Sequence, residues 1–170
     1  PLIQLILLYR IVLFYNICIN IERIFCMIEV YKMSLNDLES IKEILVSDFD
    51  DFWDYSILKD ELSSTNSYYL VAKSDNEILG FAGIKSVLDE ADIMNIVVKK
   101  SKRNSGIGSL LLKNIIELCK TLNISTLFLE VNEKNIPAIL LYKKFGFKEI
   151  GFRKNYYKEN NAIVMKKENL

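Results

Sequence analysis

The sequence predicts an α/β fold with a mixed, mostly antiparallel sheet of about seven strands. Between Ser67 and Val98, β-prone segments alternate with tight turns, a pattern typical of a meander of antiparallel strands. Around Gly106 the pattern becomes strand, helix, strand, which predicts one parallel crossover. Because the chain has 170 residues and 51% of them are apolar, we expect a single domain with a sizeable core.

The elements in the first half of the chain follow from local signals. Ser34, Asn36 and Asp37 are candidate helix caps, and apolar residues recur after them at helical spacing. Gly80 and Gly83 allow a bulge or a close approach of neighbouring chains within a strand. The predicted elements are a strand at 27–32, a helix after Ser34, a short helix at 57–62 and strands at 67–73, 78–87 and 91–98, with a turn at 74–77.

The second half of the chain is predicted to begin with an amphipathic helix over 106–122, whose apolar stripe faces the core. Asn135 is a candidate N-cap of the next helix, because Pro137 follows in its first turn and Gly146 lies just past its end. The remaining predicted elements are strands at 124–131, 147–157 and 162–167, with a loop at 158–161 between the last two.

Residues 1–26 differ in composition from the rest of the chain, since most are apolar and none is Gly, Ala, Ser or Thr. Three interpretations stay open: a reading frame extended upstream of a native start at Met27, an extra helix on the domain or at a dimer interface, or a membrane anchor. Arg10 and Glu22 are among the residues that interrupt the stretch, which disfavours a membrane helix of about 20 apolar residues. We therefore predict that 1–26 lie outside the native domain and that 27–170 form it.

Composition excludes several classes of site. The sequence contains no histidine, which excludes Ser-His-Asp and Cys-His nucleophiles and the HExxH zinc motif. The cysteines Cys18, Cys26 and Cys119 are scattered and odd in number, so they favour a reducing compartment, and we expect no metal site. Cys119 lies beside an apolar helical stripe and is interpreted as packing. The 22 basic and 22 acidic residues give no electrostatic footprint for nucleic acid.

The short basic segment 103–108 lies between a predicted strand and a predicted helix. Main-chain N–H groups at a helix N-terminus lack internal partners, and the helix dipole adds partial positive charge there. Gly106 and Gly108 let the main chain approach a ligand, while Lys102 and Arg103 add full charges. We therefore predict a pyrophosphate cradle, although a G-x-G pattern by itself often marks only a tight turn.

Common nucleotide-binding motifs fit this segment poorly. No lysine follows Gly108, as a Walker loop requires, and Leu111 stands where the dinucleotide fingerprint has its third glycine. The pattern [Q/R]-x-x-G-x-[G/A] does fit residues 103–108, and it is the acyl-CoA motif of the GCN5-related N-acetyltransferases, which the chain resembles. Within that family the chain from Met27 onward resembles the bacterial ribosomal-protein-alanine N-acetyltransferases (RimI type). The matching segments are 87–91, 95–98, 103–108, 129–131, Asn135, 141–142, 146–147 and 153–157.

The resemblance implies the acyl-CoA N-acyltransferase fold, with helices on both faces of the sheet and acetyl-CoA as co-substrate. It implies that the strands before and after the crossover helix are parallel neighbours that part, so that main-chain groups of 96–98 pair with pantetheine. The acetyl-CoA contacts that it implies are Ile96, Val97, Val98, Arg103, Asn104, Ser105, Gly106, Ile107, Gly108, Ser109 and Asn135.

Acetyl transfer to an amine needs a base for the ammonium group and an acid for the leaving thiolate. The resemblance implies that Glu130 accepts the proton, through water, and that Tyr142 donates one near the sulfur. Taken alone, Glu130 is better explained as an exposed carboxylate at the end of a strand, and Tyr142 as a core residue. Glu90 and Asp92, which flank the start of the central strand, are alternative bases.

The amine side of the site is less well defined by the sequence. Tyr156 and Tyr157 are candidates for shaping a peptide site, with core packing as the alternative. Residues 48–55 are acidic and aromatic: they form either a capped connection between helices or a wall in which Phe52 and Trp53 pack and the aspartates meet a cationic substrate. The chain departs from the family pattern in a shorter loop after Tyr157 and in its N-terminal extension.

The resemblance implies transfer of acetyl to the N-terminal α-amine of a protein, with the N-terminal alanine of ribosomal protein S18 as substrate. Two alternatives stay open: an enzyme of the same fold that acts on a lysine or a small-molecule amine, and a non-catalytic module that binds acyl-CoA. We expect a cytoplasmic protein without a metal, a membrane anchor or direct nucleic-acid contacts. The sequence leaves the oligomeric state open.

Overall fold

The computed structural model describes residues 28–49, 53–157 and 159–170. The predicted extension, 1–26, lies outside the described residues, and so does Phe52 of the predicted aromatic wall. The helices are α1 Leu35–Ile41, α2 Tyr55–Ser63, α3 Ile107–Thr121 and α4 Ile136–Lys144. The strands are β1 Glu29–Lys32, β2 Ser67–Ser74, β3 Glu77–Val87, β4 Glu90–Val98, β5 Thr126–Asn132, β6 Lys148–Tyr157 and β7 Asn160–Glu168.

The seven described strands form one mixed sheet in the order β1-β2-β3-β4-β5-β7-β6. Strands β4 and β5 are parallel, and every other neighbouring pair is antiparallel. Helix α3 makes the crossover between β4 and β5. The predicted α/β fold with a mostly antiparallel seven-stranded sheet is confirmed, and so is the predicted parallel pairing of the strands that α3 joins.

The larger core lies between one face of the sheet and the helices α3 and α4. Helix α3 buries a stripe at helical spacing that includes Ile107, Leu111 and Ile115, which pack with the sheet residues Leu127 and Leu129. Burying one such aliphatic side chain contributes about 1.5–3 kcal/mol. This stripe fixes the rotation of α3, and with it the position of its N-terminus beside β4.

A second core lies on the opposite face of the sheet, beneath α1 and α2. Leu38, Phe49 and Leu58 pack there against Tyr69 and Phe81. Helix α1 continues into a 3-10 turn and then a π-helical turn, and the rings of Phe49 and Phe81 lie 6.0 Å apart. Helices therefore cover both faces of the sheet, as expected.

Caps and turns follow the predicted chemistry. Ser34 caps α1: its hydroxyl accepts the Asp37 N–H at 3.2 Å, and the Asp37 carboxylate accepts the Ser34 N–H at 2.8 Å. Asp75 and Asn76 both have positive φ, which suits a two-residue turn between β2 and β3.

Gly83 of β3 shows both features predicted for a strand glycine. The register between β3 and β4 shifts at Gly83 and Ile84, and a Cβ on Gly83 would lie 2.2 Å from the Tyr69 ring. Tyr69 is 2% exposed, so its ring fills the space that a side chain at position 83 would need. The glycine therefore permits both the bulge and the packing of the tyrosine.

Several predicted boundaries differ from the structure by one or two residues. Strand β5 begins at Thr126 because the Ile124 N–H bonds to the Cys119 carbonyl at 2.9 Å and ends the turn after α3. Strand β7 begins at Asn160, which pairs with Tyr157, so the connection is shorter than the predicted loop 158–161. Within the described residues, we find no helix with the length and apolar character needed to cross a membrane.

We expect Gly83→Ala to lower the free energy of unfolding by about 1–3 kcal/mol, because the new methyl group overlaps the buried Tyr69 ring. Gly151→Ala is the matched control, since nothing lies within 4 Å of a Cβ at that strand position. Its effect should stay within about 0.5 kcal/mol in urea denaturation. Equal effects of the two substitutions would contradict the packing described for Tyr69.

Candidate active site

Strands β4 and β5 pair over a short distance only. The parallel register runs from Glu90 opposite Thr126 to Asp92 opposite Phe128. Beyond Asp92, β4 continues to Val98 with β3 on one side and no described strand on the other. The sheet therefore opens, and one edge of β4 presents main-chain groups that no strand satisfies.

A cavity of about 450 Å³ lies at this opening. Its walls come from the end of β4, from the segment between β4 and α3, and from the first turns of α4. The lining residues are Ile96, Val97, Val98, Lys102, Arg103, Asn104, Gly106, Ile107, Gly108, Ser109, Asn135, Pro137, Ala138, Leu141 and Tyr142.

One end of the cavity is the N-terminus of α3. Gly106 is the N-cap, with φ of 88°, and no side chain caps the helix there. Asn104 also has positive φ, at 62°. The first N–H groups of a 15-residue helix thus lie at the cavity wall without a capping partner. Such groups, with the helix dipole, bind anions such as phosphate.

Arg103 is held by main-chain carbonyls. Its Nε donates to the Val98 carbonyl at 3.3 Å, and its Nη2 donates to the Phe49 carbonyl at 3.0 Å. Lys100 makes similar bonds, to the carbonyls of Val46 at 3.1 Å and Ser47 at 2.7 Å. The charge of Arg103 is therefore present at the cavity wall, but its guanidinium also ties the cradle to the π-helical turn after α1.

Helix α4 forms the opposite wall. Asn135 caps it by accepting the Ala138 N–H at 3.3 Å, as the sequence predicts. Tyr142 is 8% exposed and packs edge-on against Phe147, with ring centroids 5.7 Å apart. Burial, together with Tyr157, raises the pKa of Tyr142 above its ordinary value. Its hydroxyl therefore keeps its proton at neutral pH.

Glu130 of β5 lies outside the residues that line the cavity, within a cluster from β6. Arg153 Nη2 contacts its Oε1 at 2.9 Å, and the Tyr157 hydroxyl donates to its main-chain carbonyl at 3.1 Å. The nearby Glu130 carboxylate and, after it, burial raise the pKa of Tyr156 to about 12. Tyr157 also contributes, after burial, to the raised pKa of Tyr142, so it lies near both Glu130 and Tyr142.

Asp92 faces the same cluster from β4. Partial burial and the neighbouring Glu130 carboxylate raise the pKa of Asp92, while Arg153 opposes the shift. Glu90 adds a smaller effect in the same direction as Glu130. Glu90 and Asp92, the two alternative bases, therefore belong to the same cluster of charged side chains as Glu130.

The structure gathers most of the predicted site residues around one cavity. Of the predicted acetyl-CoA contacts, Ser105 alone is missing from the wall: its hydroxyl donates to the Lys102 carbonyl. Three further residues of α4 line the cavity without having been predicted. Their spacing could have indicated them, because Pro137, Ala138 and Leu141 share a helical face with Tyr142.

Other candidate residues have structural partners. Asp54 caps α2, accepting the Ile57 N–H at 2.9 Å, and Asp48 lies 3.6 Å from Lys99, which fits the capped-connection interpretation of 48–55. Cys119 is fully buried, and burial raises the pKa of its thiol to about 12. No group of three or more acidic or cysteine side chains in the described part of the chain could hold a metal ion.

Comparison with known proteins gives consistent matches. The model of the Acetyltransferase (GNAT) family matches residues 37–147. A relative from Bacillus subtilis (strain 168), with a proposed [ribosomal protein bS18]-alanine N-acetyltransferase activity, is 39% identical over 139 residues; the match covers 80% of this chain and 92% of the relative.

Two further matches carry the same name. The [ribosomal protein bS18]-alanine N-acetyltransferase of Haemophilus influenzae is 40% identical over 120 residues, covering 66% of this chain and 80% of the relative. The crystal structure of the ribosomal-protein-S18-alanine N-acetyltransferase from Escherichia coli superposes with a TM-score of 0.77 at 26% identity, covering 84% of this chain and 94% of that one.

We expect Gly106→Ala to weaken coenzyme A binding about tenfold, because a left-handed conformation costs an L-residue about 1–2 kcal/mol and the cradle must shift to avoid it. Gly108→Ala is the matched control. Its Cβ would make ordinary contacts, 3.5 Å from Leu141 Cδ2 and 3.8 Å from Val98 Cγ2. Isothermal titration calorimetry should show near-normal affinity for the second variant. Normal affinity of the first would contradict the assigned cradle.

We expect Asp92→Asn to raise the free energy of unfolding at neutral pH. A raised pKa means that the folded protein binds the Asp92 proton more tightly than the unfolded chain, so ionisation of Asp92 destabilises the fold as pH rises. The gain should vanish below about pH 3, where the carboxyl is protonated in both states. Urea denaturation at both pH values, with the exposed Asp60→Asn as control, measures this. A gain of equal size at both values would contradict it.

Proposed function

This chain belongs to the acetyltransferase (GNAT) family, and on that premise we propose that it transfers acetyl from acetyl-CoA to the N-terminal α-amine of a protein. The observation that carries the proposal is the cavity at the opening between β4 and β5, which combines an unpaired strand edge with an uncapped helix N-terminus. The cluster around Glu130 lies on the neighbouring strand.

The walls of the cavity fit acetyl-CoA. The N–H groups after Gly106 would hold its diphosphate, with Lys102 and Arg103 adding positive charge. The open edge of β4 over 96–98 would pair with the amide groups of pantetheine, as an added strand does. When bound, acetyl-CoA supplies the thioester whose acetyl group is transferred.

Two side chains of the protein can carry out the two proton transfers that the reaction needs. Glu130 is the proposed proton acceptor, through water, for the ammonium group that must become a nucleophile. Tyr142 is the proposed donor, since it lines the cavity and its raised pKa keeps the hydroxyl protonated until a thiolate needs the proton. Tyr157 lies near both: its hydroxyl donates to the Glu130 carbonyl, and it contributes to the raised pKa of Tyr142.

We propose the N-terminal alanine of ribosomal protein S18 as the acceptor. Relatives with this activity in their names are 39–40% identical to the chain and are covered over most of their length, which supports the same substrate. A ribosomal protein as substrate makes the cytoplasm the proposed place of action. The peptide would enter beside Tyr156 and Tyr157, which lie next to Glu130.

A peptide panel tests the proposed acceptor. We expect an acetyl-CoA-dependent mass shift on a peptide that begins with the alanine of S18, and none on the same peptide with a blocked N-terminus and a free lysine. Acetylation of the blocked lysine peptide, or of small amines alone, would favour the alternative family activity. Coenzyme A binding without thiol release for any amine would indicate a non-catalytic module.

We expect Glu130→Gln and Tyr142→Phe each to lower kcat on the alanine peptide by about 10²- to 10⁴-fold at neutral pH, the usual contribution of a positioned acid or base. Glu117→Gln on the exposed face of α3 and Tyr31→Phe on the exposed face of β1 are the matched controls. Coenzyme A affinity, measured in parallel, shows that the variants are folded. Full activity of both Glu130→Gln and Tyr142→Phe would contradict the proposed mechanism.

A further inference from the structure

Arg153 reaches Glu130 across an intervening strand. Strand β7 separates β6 from β5, and the register places Arg153 opposite Ala162 of β7. Ala162 is in turn opposite Asn132 of β5. Asn132 lies two residues after Glu130, so both side chains are on the same face of the strand. The short side chain of Ala162 lets the long arginine cross β7, and its Nη2 comes to 2.9 Å from Glu130 Oε1.

The two partners of this ion pair differ in exposure. The Arg153 side chain is 61% exposed, whereas that of Glu130 is 23% exposed. The guanidinium therefore lies on the solvent side and covers a carboxylate that is itself recessed. Exposed ion pairs are weak, about 0–1 kcal/mol, so another cation arriving from solvent can replace the guanidinium. The Arg153 guanidinium has a second contact with the Tyr156 ring, whose centroid lies 5.7 Å from the guanidinium carbon.

The charged groups around Glu130 indicate which kind of group could replace the Arg153 guanidinium. Strand β4 contributes the carboxylates of Asp92 and Glu90, and β6 contributes Arg153 with the hydroxyls of Tyr156 and Tyr157. Arg153 is the cation that acts on both Glu130 and Asp92. If Arg153 moved away and no other cation replaced it, the carboxylates would repel each other without a counter-ion. An ammonium group carries the same charge and donates hydrogen bonds, so it can take the same place.

We propose that Arg153 is a positioning residue: it is the resting counter-ion of Glu130, and the ammonium group of the substrate displaces it. The inference rests on the proposed function, because it takes Glu130 as the group that receives the substrate's proton. The Glu130 carboxylate therefore loses its contact with Arg153 only when the amine arrives. The carboxylate is thereby held in place by Arg153 until the substrate is bound.

Steady-state kinetics of Arg153→Gln, Arg153→Lys and the neighbouring control Lys154→Gln on the alanine peptide test this. Arg153→Gln should lower KM by about two- to fivefold, because the amine no longer competes with a guanidinium. Its kcat should change little, because the guanidinium has already moved away when the proton is transferred. Arg153→Lys should keep the wild-type KM, and Lys154→Gln should change neither KM nor kcat.

A higher KM in Arg153→Gln would overturn the proposal, since Arg153 would then bind the substrate itself. An unchanged KM would overturn it too. A second readout needs no turnover: the NMR signal of the Arg153 side-chain Nε–H in the free enzyme should shift in Glu130→Gln, which removes the charge of its partner. An unshifted signal would refute the ion pair. Failure of the wild type to acetylate any N-terminal peptide would instead contradict the proposed function, and the NMR signal would still decide whether Arg153 pairs with Glu130.

Discussion

The structure depends on the early separation of β4 from β5. The two strands pair for three residues, Glu90 to Asp92, and then part, although α3 holds both against the same core. Unpaired main-chain groups in a protein interior are costly, so an open strand edge persists only where something else satisfies it or water reaches it. Here the edge lines a cavity, and a ligand with amide groups can complete the pairing that β5 does not provide.

The separation is maintained by packing on both sides. Helix α4 forms one wall of the opening, with Ile139 and Tyr142 buried against the main core. On the other side, Arg103 and Lys100 tie the segment after β4 to carbonyls of the π-helical turn. The cradle is thus held by contacts from two directions, with the N-terminus of α3 at the cavity wall.

Sequence patterns predicted most of the fold because its elements are encoded locally. The Ser34 and Asn135 caps, the stripe on α3 and the turn at Asp75 each follow from a few neighbouring residues. Contacts between distant residues left no such signal. The bond from Arg103 to the Phe49 carbonyl spans 54 positions and targets main chain, which any residue type could supply. The Arg153–Glu130 pair depends on a small residue in the strand between them, which no periodicity reveals.

The central claim is that the cavity and the Glu130 cluster form one transfer site. A crystal structure with a conjugate of coenzyme A and an alanine-starting peptide tests it most directly. The account predicts the diphosphate on the N–H groups after Gly106, pantetheine along β4 at 96–98, the sulfur beside Tyr142 and the alanine nitrogen on the Glu130 side, with Arg153 moved away. Pantetheine outside the opening between β4 and β5, or an alanine remote from Glu130, would contradict it.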